Sequence, residues 1–167
     1  LEKSGFKFLN VRNQDVPTYV MHGAADLGVV GLDVLEEKEY DLIKLLDLKL
    51  GRCKVAFGLR AGEKLNFDKS KITIATKHEK IAKKYFEQKA MAVEIIKLYG
   101  SIELAPLVGL CDCIVDIVET GETMKQNGLE VGPTIMETTA HLIANKNSFY
   151  AKKDLIFDLK DKLEKFL

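Results

Sequence analysis

The segment from Val115 to Thr123, VDIVETGET, runs an apolar strand straight into two threonines and a glycine where a helix should begin. That order suits the holding of a phosphate. The strand delivers the loop to the carboxyl end of a parallel sheet, and Gly121 lets the backbone approach a ligand. Thr120 and Thr123 can donate hydroxyl hydrogen bonds, and the free amides of a helix start favour an anion. A plain βα turn capped by Thr120 is the competing reading of the loop alone. Asp116 bears on that choice. It sits among Ile114, Val115, Ile117 and Val118, where a carboxylate is costly without a partner, which could be a structural salt bridge or a ligand. Glu119 and Glu122 crowd the same loop. Carboxylates are poor company for phosphate, so they should turn away, meet a metal ion or contact sugar hydroxyls. Acids beside a phosphate loop point to a phosphorylated sugar.

These residues need a scaffold, and the composition supplies an ordinary one. The chain has 167 residues, 47% of them hydrophobic and 30% charged, with 25 Lys and Arg cancelled by 25 Asp and Glu. This length allows one domain or two small lobes and can bury a core without disulfides or metal. The absence of excess positive charge argues against nucleic-acid binding. No apolar run reaches the roughly 18 to 20 residues that span a bilayer, and the start lacks a signal-peptide plan, so a soluble, cytoplasmic protein without a membrane partner is expected. Cys53, Cys111 and Cys113 form an odd set, expected to be reduced. Cys111 and Cys113 would put two thiols on one strand face, read as small core residues because a zinc site needs about four ligands.

Short apolar runs alternate with amphipathic stretches, the sign of βα units around a largely parallel sheet. Phe8 to Val11 reads as a strand end. Asp15 is an N-cap and Pro17 a first-turn residue for a helix from Val16 to His22. A strand at Leu27 to Val30 leads to a capping box of Asp33 and Glu36. Leu42 to Leu46 and Val55 to Leu59 follow as strands, and a polar stretch after Ala61-Gly62 marks a hinge. A second series then runs through strand Ile72 to Ala75, helix Glu79 to Lys89, strand Val93 to Leu98, a short helix from Glu103, strand Ile114 to Val118 and a helix closed by Asn127-Gly128. Residues Thr138 to Asn145 give one more strand. Leu155, Leu159, Leu163 and Phe166 form the core stripe of a last helix. The expected architecture is α/β: residues 1–61 with 140–167 form one lobe, residues 62–139 a second that carries the phosphate loop, and the active site lies in the cleft between them.

Glu103, Gly109, Ile114, Asp116, Ile117, Thr120, Gly121, Thr123 and Met124 stand in an order and spacing that resemble the signature of the ATP phosphoribosyltransferase family. The stretch from Val11 to Glu37, the ATK of Ala75 to Lys77 and the GSIELAPLVGL of Gly100 to Leu110 are similar to that family too. Cys111 and Cys113 depart mildly from its small residues around Asp112. The resemblance implies two lobes of the periplasmic-binding-protein type II kind. It implies transfer of the phosphoribosyl group of phosphoribosyl pyrophosphate to N1 of ATP, with loss of pyrophosphate, as the first step of histidine biosynthesis. Magnesium would accompany the substrates. Carried over by residue, Glu119, Thr120, Gly121, Glu122 and Thr123 would cradle the 5′-phosphate, and Glu103 and Asp116 would hold the ribose hydroxyls as catalytic residues. Arg12, Asp15, Asp26, Gly28 and Lys77 would lie toward ATP or pyrophosphate.

The family opens with a strand and a Lys-Gly-Arg-Leu segment, whereas LEKSGF is similar to the end of its first helix; residues are expected to be missing at the start and after Phe6. The chain's end at Leu167 resembles the short form. That form lacks a histidine-sensing domain, so a catalytic homodimer within a hetero-oligomer, with a subunit like histidyl-tRNA synthetase, is implied. Two other functions compete: a phosphoribosyltransferase for another base, which usually places two adjacent acids before the loop, and a non-catalytic two-lobe solute binder, which needs no phosphate cradle.

Overall fold

A computed structural model of the protein describes residues 5–66 and 68–167. The chain divides into two compact units, one of residues up to Leu35, Tyr40–Lys49 and Ala140–Leu167, the other of Glu36–Glu39 and Leu50–Thr139.

In the smaller unit, strand β1 (Leu27–Gly31) pairs antiparallel with β8 (Ala140–Ala144), and β8 pairs antiparallel with β2 (Ile43–Asp47). Helix α1 (Val16–Met21) carries Pro17 in its first turn, where the missing amide costs nothing. It packs Val16 and Val20 against β1 and Ile143. A Cβ on Gly28 would come within 2.7 Å of Val16 Cγ1 and 2.8 Å of Val20 Cγ2, so glycine sets how closely this helix approaches the sheet. Helix α2 (Leu32–Lys38) adds Val34 and Leu35 to the same core. Buried Asn145 ties the unit together: its Oδ1 accepts from Ser148 N at 3.0 Å and caps α6 (Lys146–Ala151), while its Nδ2 donates to Val20 O at 2.9 Å. Helix α7 (Lys153–Glu164) follows.

The larger unit is built on a sheet of order β5-β4-β6-β3-β7. Strands β4 (Ile72–Thr76), β5 (Val93–Lys97) and β6 (Cys113–Val118) are parallel, and β3 (Cys53–Arg60) runs antiparallel between β6 and β7 (Leu129–Thr138). Alternation along the strands loads both faces. Phe57, Ile72, Ile74, Cys113 and Val115 meet Ile81, Ala82 and Phe86 of α3 (Glu79–Gln88) on one face. Ala56, Ala75, Ile114 and Val118 meet Ala105 of α4 (Leu104–Leu107) and Met124 of α5 (Glu122–Gln126) on the other. Phe57 and Phe86, fully buried and edge-to-face at 5.8 Å, are each worth about 1.5–3 kcal/mol. The free amides at the start of α3 donate to the Glu37 carboxylate, Lys80 N at 3.1 Å and Ile81 N at 3.2 Å.

Several expectations are corrected. The boundary read at Ala61 falls too late, because β3 pairs with β6 and β7 and so belongs to the larger unit. The largely parallel sheet holds only for β4, β5 and β6. Strand β7 was not anticipated. It is an edge strand, and its Gly132-Pro133 lies where the β3 register shifts, which is where a proline without an amide is tolerated. Phe8 to Val11 is not a strand, and Asp33 lies inside α2 instead of capping it. The core stripe of α7 is misphased: Ile156 is the buried residue, while Leu155 is 58% exposed and Phe166 87%. Cys111 and Cys113 belong to opposite faces of the sheet. Of the helix end read over residues 1–6, residues 1–4 lie outside the described residues, and Gly5 and Phe6 are not helical. Among the described residues, no helix is long and apolar enough to cross a membrane.

Candidate active site

Thr76 of β4 lies opposite Val115 of β6 as the last pair of the parallel ladder, so the residues that follow, Lys77 and Asp116, lie side by side just past the carboxyl end of β4, with Asp116 two residues before the end of β6. Lys77 Nζ stands 3.0 Å from Asp116 Oδ1, with side chains 32% and 24% exposed. The same oxygen accepts the Ile117 amide at 2.8 Å and lies 3.8 Å from His78 Nε2. These contacts all fall on Oδ1. The carboxylate is thus fixed through one oxygen while Oδ2 takes none of them, a posture suited to accepting hydroxyl hydrogen bonds. The sequence placed Asp116 in a wholly apolar setting; the structure gives a half-buried acid with a cation beside it.

Two residues absent from the sequence reading of the site complete this corner. His78 is buried beside Asp116, and buried Thr76 uses its hydroxyl twice, donating to Val115 O at 2.6 Å and accepting from His78 N at 2.8 Å. The signal available was a polar Thr-Lys-His run ending an apolar strand.

Past Val118 the chain turns through Glu119, Thr120 and Gly121 into α5. Gly121 has φ +82°, the left-handed region that favours glycine, and a Cβ there would lie 2.9 Å from Val131 Cγ2. The Glu122 amide donates to Thr120 Oγ1 at 3.3 Å, and Gly121, not Thr120, holds the cap position. Met124 is buried and anchors α5, while the side chains of Glu119, Thr120, Glu122 and Thr123 are exposed. Half-buried Glu103 stands just before α4, on the connection leaving the carboxyl end of β5. Asp116, Lys77, Glu103 and the loop therefore share one end of the parallel strands in the larger unit.

The remaining predicted residues lie in the smaller unit. Arg12 is exposed, and its carbonyl accepts from Asp15 N at 2.8 Å. Asp15 holds the cap position of α1 but its side chain makes no cap hydrogen bond, a departure from the expected N-cap. Asp26 is ion-paired with Lys152 at 2.7 Å, and hydrogen bonds from Lys152 and Ser148 hold its carboxyl below the usual range. Gly28 is accounted for by the packing of α1. Among the described residues, no three His, Cys, Asp or Glu side chains converge as a metal cage. Burial pushes the Cys113 thiol up to about 12 and raises Cys111, which leaves both as protonated core thiols near neutrality.

A family model described as ATP phosphoribosyltransferase matches residues 12–165. The chain belongs to the ATP phosphoribosyltransferase family. It is 65% identical over 164 residues to the ATP phosphoribosyltransferase of Sulfurovum sp. (strain NBC37-1), covering 98% of this chain and 80% of the relative. It is 63% identical over 165 residues to that of Wolinella succinogenes, covering 99% and 80%. A solved ATP phosphoribosyl transferase (HisG:HisZ) complex from Thermotoga maritima superposes with TM-score 0.81 at 39% identity, over 93% of this chain and 76% of that one. The substrate-binding protein of an amino acid ABC transporter superposes with TM-score 0.62 at 16% identity, over 97% and 80%, which shows a shared fold alone. The ATP phosphoribosyltransferase family is a family of pentosyltransferases, and the chain is an enzyme of the first step of histidine biosynthesis.

Proposed function

We propose that the carboxyl end of β4, β5 and β6 binds phosphoribosyl pyrophosphate and presents its C1 to N1 of ATP. The observation that carries this reading is the Asp116 carboxylate, held through Oδ1 by the Ile117 amide and Lys77 with Oδ2 left for a ribose hydroxyl, beside the left-handed Gly121 loop. Glu119 to Thr123 take the 5′-phosphate on backbone amides and the Thr120 and Thr123 hydroxyls. Asp116 and Glu103 hold the ribose hydroxyls. Lys77 serves the pyrophosphate or ATP side, and Arg12, Asp15, Asp26 and Gly28 keep the roles toward ATP that the family resemblance implies.

In the reaction N1 of adenine forms a bond to C1, the bond from C1 to the pyrophosphate oxygen breaks, and pyrophosphate departs with both bonding electrons. A neutral nucleophile and a good leaving group need alignment and charge stabilisation more than an acid or a base. No covalent enzyme intermediate is required; a ribosyl-enzyme adduct trapped without ATP would contradict this. Magnesium enters with the pyrophosphate substrate, which fits its habit of keeping substrate oxygens and waters as ligands. Likeness to the HisG:HisZ complex supports a HisZ-like partner; a catalytic homodimer inside that hetero-oligomer, and a partner like histidyl-tRNA synthetase, follow from the family resemblance. The cytoplasm, where ATP and phosphoribosyl pyrophosphate are made, is its place.

The test is formation of phosphoribosyl-ATP, followed by absorbance, for wild type, Thr123→Ala and Asp116→Ala. Product from wild type with a large loss in both variants is expected. Full activity in both would overturn the site assignment. Silence from folded wild type, alone and with the synthetase-like subunit, would overturn the reaction.

A further inference from the structure

Thr76 sits at the last position of β4 and is fully buried. Its two hydrogen bonds reach two specific peptide groups. The carbonyl of Val115, which accepts its hydroxyl at 2.6 Å, belongs to the peptide that leads into Asp116. The amide of His78, which donates to the same hydroxyl at 2.8 Å, belongs to the peptide that follows Lys77. One oxygen thus joins the peptide units flanking the two charged residues, at the point where the parallel ladder of β4 and β6 ends with Thr76 opposite Val115. No regular ladder bond continues past this pair to hold Lys77 against Asp116.

We propose that Thr76 is a positioning residue for phosphoribosyl transfer, its hydroxyl setting the separation and orientation of Lys77 and Asp116. The inference rests on the reading of Asp116 as a ribose-hydroxyl ligand. Serine can make both hydrogen bonds. Valine fills the space of threonine but can neither donate to Val115 O nor accept from His78 N, so two buried backbone groups lose their partner. The carboxylate is then free to shift, and displacements of about 1 Å near a reacting centre can cost on the order of a hundredfold in rate.

The experiment compares kcat/KM for phosphoribosyl pyrophosphate in the full-length enzyme, with its regulatory subunit present, for Thr76→Val, Thr76→Ala, Thr76→Ser, Asp116→Asn and the double variant Thr76→Val with Asp116→Asn. Thermal midpoints are measured in parallel and rates taken below the lowest of them; Thr76→Ala replaces Thr76→Val throughout if the latter does not fold. A loss of roughly ten- to a hundredfold is expected on removing the hydroxyl, with serine within about threefold of wild type. In the double variant, removing the hydroxyl should cost little beyond the loss from Asp116→Asn, because it acts through that carboxylate. A merely structural threonine would give losses that multiply, and that result, or full kcat/KM in folded Thr76→Val or Thr76→Ala, overturns the proposal. Wild-type rates in Asp116→Asn would instead overturn the site reading on which it stands, so the two failures are distinguishable.

Discussion

Strands β4 and β6 carry a lysine and aspartate pair at each end, and the two pairs are built differently. At the amino end, Asp112 accepts from Lys69 Nζ on one oxygen at 2.6 Å and from the Thr73 amide on the other at 2.9 Å. At the carboxyl end, the amide and the lysine both fall on Asp116 Oδ1. An acid with both oxygens engaged fastens one strand to its neighbour. An acid fastened through one oxygen has the other available for the ribose hydroxyl of the proposed site. The concavity of about 240 Å³ lined by Arg60, Lys64, Lys69 and Asp112 lies at the fastened end, away from the end proposed to carry the chemistry.

The largest effect that would break this contrast belongs to Asp116→Asn. It keeps the shape and removes the charge facing Lys77, and kcat/KM for phosphoribosyl pyrophosphate should fall by about a hundredfold or more with little change in thermal midpoint. Initial rates beside calorimetric unfolding check this; comparable losses of activity in Asp112→Asn would erase the distinction between the two ends.

Gly121→Ala should come next. The left-handed backbone costs a side chain roughly 1–2 kcal/mol, and the contact of 2.9 Å with Val131 adds to it. Urea unfolding should show that loss, with a raised KM for phosphoribosyl pyrophosphate because the loop must shift. An unchanged midpoint and KM would mean that neither the loop conformation nor its contact with β7 matters.

The sequence exposed this carboxyl end well and the rest of the sheet less so. From Cys113 to Gln126, an apolar run, an internal acid, paired threonines and a glycine all agreed on strand, loop and helix, and the structure has them in that order. Asp116 was legible as an acid in need of a partner, but the partner depended on pairing β4 with β6, a relation between residues far apart in the chain. Thr76 showed only as the first residue of a polar run ending an apolar strand, since the two backbone groups its hydroxyl meets are brought to it by the fold. Strand β7 was hidden by Gly132-Pro133, which reads as a turn until its place at the sheet edge is known. In α7 the leucine repeat was real but the packing fell on Ile156, because a helix on a small unit buries whichever residue meets its neighbours.

The smallest effect sharpens the comparison from the fastened end. Asp112→Asn should destabilise by about 1–2 kcal/mol at neutral pH, the value of charge-assisted hydrogen bonds at a partly exposed site, while leaving kcat/KM within about twofold. Its signature is the pH dependence. The Lys69 hydrogen bond, then the Thr73 amide, hold the Asp112 carboxyl below its ordinary value of 3.8 in the folded protein. A carboxyl depressed in the folded state contributes its stability above the unfolded value and loses it as pH falls through the folded one. The gap in unfolding free energy between wild type and Asp112→Asn should therefore stay level from about pH 7 to pH 5 and close below about pH 4. Urea unfolding at pH 7, 5, 4 and 3 measures it. A gap that persists undiminished at pH 3 would show that the charge of Asp112 is not what fastens β4 to β6, and the two ends of the strands would then differ in something other than how their carboxylates are held.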